Sequence, residues 1–189
     1  MDRLLQVLNA IYPMSHELIE YLAAHIKHRI LSRRQFLLRA GHVSRDICFI
    51  ESGLMRCYYL KDDTEISSWF MKEDDVIVSV ESFFQQKISY ESIQALETTN
   101  LYCISYEELQ LLYKTFPEFN FIGRVLTERY YTQSEQRLYS IRMQKSRNRY
   151  KHLMDTHPEL IMRVPSKYLA SYLGVREETL SRLRGRKYL

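Results

Sequence analysis

Arg176, Glu177, Thr179, Ser181, Arg182 and Arg186 crowd into eleven residues near the end of the chain, where they would form the outward face of a helix. An arginine fork can donate to guanine O6 and N7, and a glutamate can accept from the amino group of cytosine. This face therefore carries base-reading chemistry. Ser166, Lys167, Thr179 and Lys187 are candidates for phosphate contacts, which set register without reading sequence. The charge distribution agrees. From residue 142 onward twelve Lys/Arg oppose only Asp155, Glu159, Glu177 and Glu178, a net +8; the whole chain is +4, which leaves −4 on residues 1–141. A mildly acidic body with a basic end is expected when one end meets a polyanion. On charge alone a merely solvated tail fits equally well.

Presenting that face takes two short helices. The first runs over residues 166–173 with Leu169, Ala170 and Leu173 inward. Gly174 sits where the turn needs a left-handed backbone, and the second helix begins near Arg176 with Leu180 and Leu183 inward. Small Ala170 lets the two approach closely, and Val175, five residues later, closes the turn. That is helix-turn-helix spacing. An amphipathic hairpin with a solvated basic face has the same periodicity and is the plainer alternative.

The rest of the 189 residues must carry this unit. An apolar fraction of 46% and a charged fraction of 26% are those of a globular protein with a real core, which excludes disorder as the dominant state. Residues 3–28 read as two short helices broken at Pro13, with Ser15 and Glu17 able to cap the second. From about 30 to 104 the period changes. Short runs rich in β-branched and aromatic residues (35–38, 46–50, 54–59, 65–70 and 101–104) alternate with polar turns holding Gly41 and Gly53. Such spacing predicts a sandwich, barrel or jelly roll and disfavours a Rossmann-type enzyme. A short helix is predicted over 105–113. A long one follows over about 117–157, with Ile122, Leu126, Tyr130, Leu138 and Ile141 on a drifting stripe interrupted by Ser134. Its length exceeds what one small domain needs, so it is expected to be a dimer seam; a helix packed wholly on its own β domain is the alternative.

Cys48, Cys57 and Cys103 are scattered and odd in number, so they are expected to be reduced core fillers. Apolar runs such as 47–50 and 76–80 are too short for a bilayer, which needs about 20 residues. No cationic leader precedes a long apolar stretch, and the expectation is a cytoplasmic chain without a membrane partner.

A β roll of short strands, one long helix and a C-terminal helix-turn-helix together resemble the Crp/Fnr family of bacterial transcription regulators, over nearly the whole chain. The likeness is sharpest at Lys167-Tyr168-Leu169-Ala170-Ser171-Tyr172-Leu173-Gly174-Val175 and Glu178-Thr179-Leu180-Ser181-Arg182. It is looser at Leu37-Leu38-Arg39-Ala40-Gly41 and Phe49-Ile50-Glu51-Ser52-Gly53. The tail is similar to that of members from Bacteroidetes-like bacteria. The resemblance implies an α+β protein with flanking helices and a cyclic-nucleotide-binding-like jelly roll over 1–115. It implies a dimerisation helix over 116–157 and a DNA-binding unit over 158–189. It places Glu177, Glu178 and Arg182 on base-reading positions. It also implies a homodimer that sets two such helices about 34 Å apart on a palindromic duplex, with no catalysis and no cofactor.

The sequence departs from that family in three places. The stretch corresponding to the cyclic-nucleotide phosphate cassette reads Ile77-Val78-Ser79-Val80-Glu81-Ser82-Phe83-Phe84, then Lys87-Ile88-Ser89-Tyr90. Glu81 can stand where the family's ribose-binding carboxylate does. Ser89 and Tyr90 supply no guanidinium, and an unpaired buried phosphate would cost several kcal/mol, roughly. With Lys87 two positions off, the effector pocket of Glu81, Ser89 and Tyr90 is expected to refuse cyclic AMP and to leave any small-molecule effector unidentified. Trp69, Phe70, Phe83 and Phe84 are expected in the core rather than in a pocket. No N-terminal cysteine cluster is present for an iron–sulfur centre. Only Tyr188 and Leu189 follow Lys187, so a full wing after the second helix is not expected.

Enzyme readings have little to stand on, since G-x-S-x-G, H-E-x-x-H and phosphate-cradling glycine loops are absent from the sequence. His16, Glu17 and Glu20, or His25 and His28, are read as surface residues rather than metal ligands. The second functional reading is a cupin-like ligand-binding module whose basic tail meets another partner. Only His42 in the β region speaks for a cupin metal, where a cluster of histidines is needed.

Overall fold

The structure, a computed structural model, describes residues 1–185. Helices α1 (Asp2–Ile11) and α2 (His16–His25) open the chain. The Ser15 hydroxyl accepts the Leu18 N–H at 3.2 Å, the cap expected from its position. Leu4, Leu8, Leu18 and Leu22 are the buried stripe of this pair.

Eight strands follow. They are β1 (Lys27–Leu31), β2 (Phe36–Leu38), β3 (Asp46–Ser52), β4 (Met55–Lys61), β5 (Thr64–Met71), β6 (Val76–Ile77), β7 (Glu91–Ala95) and β8 (Thr99–Ser105), with helix α3 (Val80–Gln85) between β6 and β7. They form two four-stranded antiparallel sheets, ordered β1-β8-β3-β6 and β2-β7-β4-β5. Ile50, Met55, Ile77, Ile93 and Leu101 fill the space between them. The β3–β4 turn depends on Gly53, whose φ of +108° suits glycine and whose missing Cβ would run into Thr99.

One expectation fails here. Cys48 and Cys103 are not free: they stand opposite each other in the β3–β8 pairing, Cα atoms 4.0 Å apart, and are joined by a disulfide. The two lie 55 residues apart in sequence, and only strand register brings them together. Cys57, on the other sheet, stays a buried thiol whose pKa burial pushes up.

Helix α4 (Tyr106–Thr115) is capped by Ser105, whose hydroxyl accepts from Glu108 N–H at 3.2 Å. The long helix is shorter than predicted. Helix α5 (Pro117–Met143) stops at Gln144 and Lys145, both extended, and α6 (Ser146–Thr156) starts a new direction. No proline or glycine makes this break. The Arg149 guanidinium holds it, donating to the carbonyls of Gln144 and, at 2.9 Å, Leu173. The α5 stripe also divides. Phe119 and Ile122 are buried with Leu126 packed beside them, and Tyr130 takes the Val76 N–H at 2.6 Å, so this half belongs to the chain's own β domain. Tyr131, Leu138, Tyr139, Ile141 and Met143 are exposed.

Helices α7 (Pro158–Arg163), α8 (Ser166–Leu173) and α9 (Glu177–Gly185) complete the described chain. They share a third core with the sheet, in which Leu54, Phe70 and Leu96 meet Leu153, Leu160, Leu169 and Leu173. Among the described residues no helix is long and apolar enough to cross a membrane.

Candidate nucleic-acid interface and ligand cavity

Leu169, Ala170, Leu173 and Leu180 are buried where α8 meets α9, and Gly174 turns between them at φ +63°. Its left-handed conformation lets the Gly174 and Val175 N–H groups reach the carbonyls of Ser171 and Ala170, both at 3.0 Å, which satisfies the end of α8. Arg176 then offers its carbonyl to the N–H groups of Thr179 and Leu180 and so opens α9. This is the local geometry that the sequence predicts, with the start of α9 one residue later.

The structure sorts the predicted contact residues clearly. Arg176, Glu177, Glu178, Ser181 and Arg182 are exposed together on and just before α9. Thr179 is half-buried on the same helix and accepts from Arg182 Nη2 at 3.4 Å. Lys167 is exposed on α8. Ser166, at the start of α8, has its hydroxyl engaged by Arg184 Nη1 at 2.7 Å, so a phosphate there would compete with an internal bond. Arg186 and Lys187 lie outside the described residues.

Sequence reasoning missed what fastens these helices to the roll. Ser171 on α8 accepts the Ser67 N–H at 2.8 Å and donates to the Glu65 carbonyl at 3.1 Å, which extends the edge of β5 by a side chain. Arg163 sits between two carboxylates, bonding Glu73 twice at 2.9 Å and Glu97 at 2.8 and 3.1 Å. The Arg163 guanidinium holds the Glu73 carboxyl down at about 2. A carboxyl depressed in the folded state contributes stability above its ordinary value and loses it as pH falls toward the folded one. Glu73→Gln should therefore melt below the parent at pH 6, and the two should converge between pH 4.5 and 2 in thermal scans. A gap that stays undiminished from pH 4.5 down to 2.5 would contradict this role of Arg163.

The roll also carries a cavity of about 660 Å³, open to solvent beside Tyr90 and bordered on one side by α5. Cys57, Trp69, Met71, Val78 and Leu126 line its apolar part. Glu81, Ser89 and Tyr90, the predicted effector residues, do line one cavity, together with Ser79, Tyr59 and Glu91, which sequence reasoning did not identify. Glu91 is inward because it shares the strand face of Ile93 and Ala95 and stands opposite Tyr59 in the β4–β7 pairing. Ser89 is buried, its hydroxyl 3.0 Å from that of Ser79, and the Tyr90 hydroxyl donates to the Glu81 carboxylate. The four aromatics divide: Phe70 and Phe83 are core, whereas Trp69 and Phe84 line the cavity.

A cyclic nucleotide fits these residues poorly. Among the described residues no Lys, Arg or His lines the cavity, and Lys87 is exposed outside it. Two carboxylates occupy the polar end instead. A phosphate placed there would be desolvated beside like charge.

Comparison with known proteins bears on the fold. Residues 28–116 match the family model of the cyclic nucleotide-binding domain. No curated protein sequence matches the chain. The c-di-GMP responsive global regulator CLP of Xanthomonas campestris superposes with a TM-score of 0.70 at 20% identity, covering 92% of each chain. A CooA mutant from Carboxydothermus hydrogenoformans gives 0.72 at 18% identity, covering 97% of this chain and 83% of that one. A Crp/Fnr-family chain from Eubacterium rectale gives 0.66 at 17%, covering 92% and 85%. The chain thus has the cyclic nucleotide-binding fold followed by a long helix, an architecture it shares with these solved chains.

Proposed function

We propose that this chain is a homodimeric, sequence-specific DNA-binding transcription regulator of the cytoplasm and not an enzyme. In this reading residues 1–115 sense an effector other than cyclic AMP, the second half of α5 within 116–157 pairs two copies, and 158–189 carry a helix-turn-helix unit. The observation that carries it is the face of Arg176, Glu177, Glu178, Ser181 and Arg182, exposed on a helix whose partner and turn are fixed by Gly174. Such a helix has the width and donor set for the major groove. The exposed apolar side chains from Tyr131 to Met143 support pairing through the second half of α5. Two-fold pairing would set the two recognition helices one duplex turn apart, about 34 Å. The fold shared with transcription regulators is consistent with this assignment.

The test is selection of bound duplexes from a random pool, with and without cyclic AMP. A two-fold symmetric consensus indifferent to the nucleotide is expected. A consensus that emerges only with cyclic AMP would refute the sensing half of the proposal, and no enrichment under either condition would refute the DNA-binding half. Lys167→Ala should weaken binding to selected and random duplexes alike and lower the salt slope by about one, as loss of one phosphate contact does. Titrations at several salt concentrations read both.

A further inference from the structure

The polar end of the roll cavity has charge of one sign. Glu91 is half-buried on β7, and neither it nor Glu81 forms an ion pair among the described residues. Burial holds the Glu91 carboxyl above its ordinary range, and hydrogen bonds from Ser79 and Tyr59 offset only part of that. A carboxylate withdrawn from water without a counterion is costly, and it is relieved either by taking up a proton or by a cation in contact with it. Among the described residues no Lys, Arg or His lines this end, and the remaining wall is apolar over most of its extent. Tyr59, Ser79, Ser89 and Tyr90 add hydroxyl oxygens that can accept from a multiply donating head group.

We infer that the cavity takes a hydrophobic amine: an apolar molecule whose single cationic, hydrogen-bond-donating head sits against Glu91 and Glu81 while its body lies along Trp69, Met71 and Leu126. This deepens the effector half of the regulator reading and rests on it for biological meaning, yet the binding itself can be tested without DNA. The ligand chemistry is opposite to that of a cyclic nucleotide, whose anion would meet these two carboxylates.

Trp69 is the sole tryptophan of the chain and lines the cavity, so its fluorescence reports occupancy directly. Octylamine, octanol and octanoate share one tail and differ only in the head, and the full-length protein would be titrated with each and with cyclic AMP. Octylamine should bind at least tenfold more tightly than octanol, and octanoate and cyclic AMP more weakly than either. Glu91→Gln, which keeps the side-chain shape, should reduce the amine's advantage over octanol to about twofold or less. It should also melt a few degrees above the parent, because it removes an unpaired carboxylate. Glu81→Gln is the second variant and should lose a smaller part of the advantage, its carboxylate being exposed to water. Tighter binding of octanoate or cyclic AMP, an amine preference that survives in both variants, or no binding of any octyl compound would overturn the inference. Duplex selection is scored separately: amine binding without a DNA consensus removes the regulator reading and leaves the site, and a consensus without amine binding does the reverse.

Discussion

Arg56→Ala should destabilise the protein by about 3–5 kcal/mol in urea unfolding, the cost of breaking a buried charge cluster by removing one member. Arg56 lies on β4 and is completely buried. Its Nε donates to Ser67 Oγ at 2.9 Å and its Nη1 to Glu65 Oε2 at 2.7 Å. The guanidinium carbon lies over two rings, 3.7 Å from the centroid of Tyr168 on α8 and 4.3 Å from that of Tyr58. It is thus packed between the sheet and the first helix of the α8–α9 pair. Truncation leaves a void beneath Tyr168, an unmatched Ser67 hydroxyl and a Glu65 carboxylate without its cation. Methionine at this position should recover a large part of the loss, because it refills the void and the stem of the arginine already packs as a hydrocarbon. One nitrogen, Nη2, has no partner, so the native arrangement is itself not fully satisfied. A loss for Arg56→Ala below about 1 kcal/mol would show that the cluster is incidental to the fold.

The residues of Arg56 and its partners also mark where sequence reading stops. The α8–α9 unit is legible because everything it needs is local: Leu169, Ala170 and Leu173 repeat at three-to-four spacing, and Gly174 follows at once with the backbone freedom that its turn requires. Ser15 and Ser105 are legible as caps for the same reason. What is not legible depends on pairing between distant segments. Arg56 looks like any strand residue until α8, more than a hundred positions later, covers it. Cys48 and Cys103 meet only through the register of β3 with β8, and a slip of one residue would point them apart. Glu91 turns inward because β7 pairs with β4 in the register that sets it opposite Tyr59. The break at Gln144 and Lys145 carries no proline or glycine to announce it, since the Arg149 side chain that stabilises it also reaches the end of α8. Local chemistry is written in local spacing; sites assembled across a sheet are written in register, which one sequence does not display.

Arg182→Ala should weaken binding to the selected duplex by about 1–3 kcal/mol while changing binding to random duplexes far less. The asymmetry follows from the kind of contact. An arginine fork on guanine O6 and N7 exists only where that base pair is present, so its loss is felt at one position of the consensus. A phosphate contact, such as that proposed for Lys167, is made on every duplex. Arg182 is exposed and its only partner among the described residues is the Thr179 hydroxyl one turn back, at 3.4 Å, so its removal should cost the fold little. The bond to Thr179 also holds the guanidinium along α9, and a restrained side chain loses less entropy on docking than a free one. Repeating the duplex selection with the Arg182→Ala protein should give a consensus relaxed at one symmetric pair of positions and retained elsewhere. Equal losses on selected and random duplexes would reassign Arg182 to the phosphate backbone, and base reading would then rest on Arg176 and Glu177.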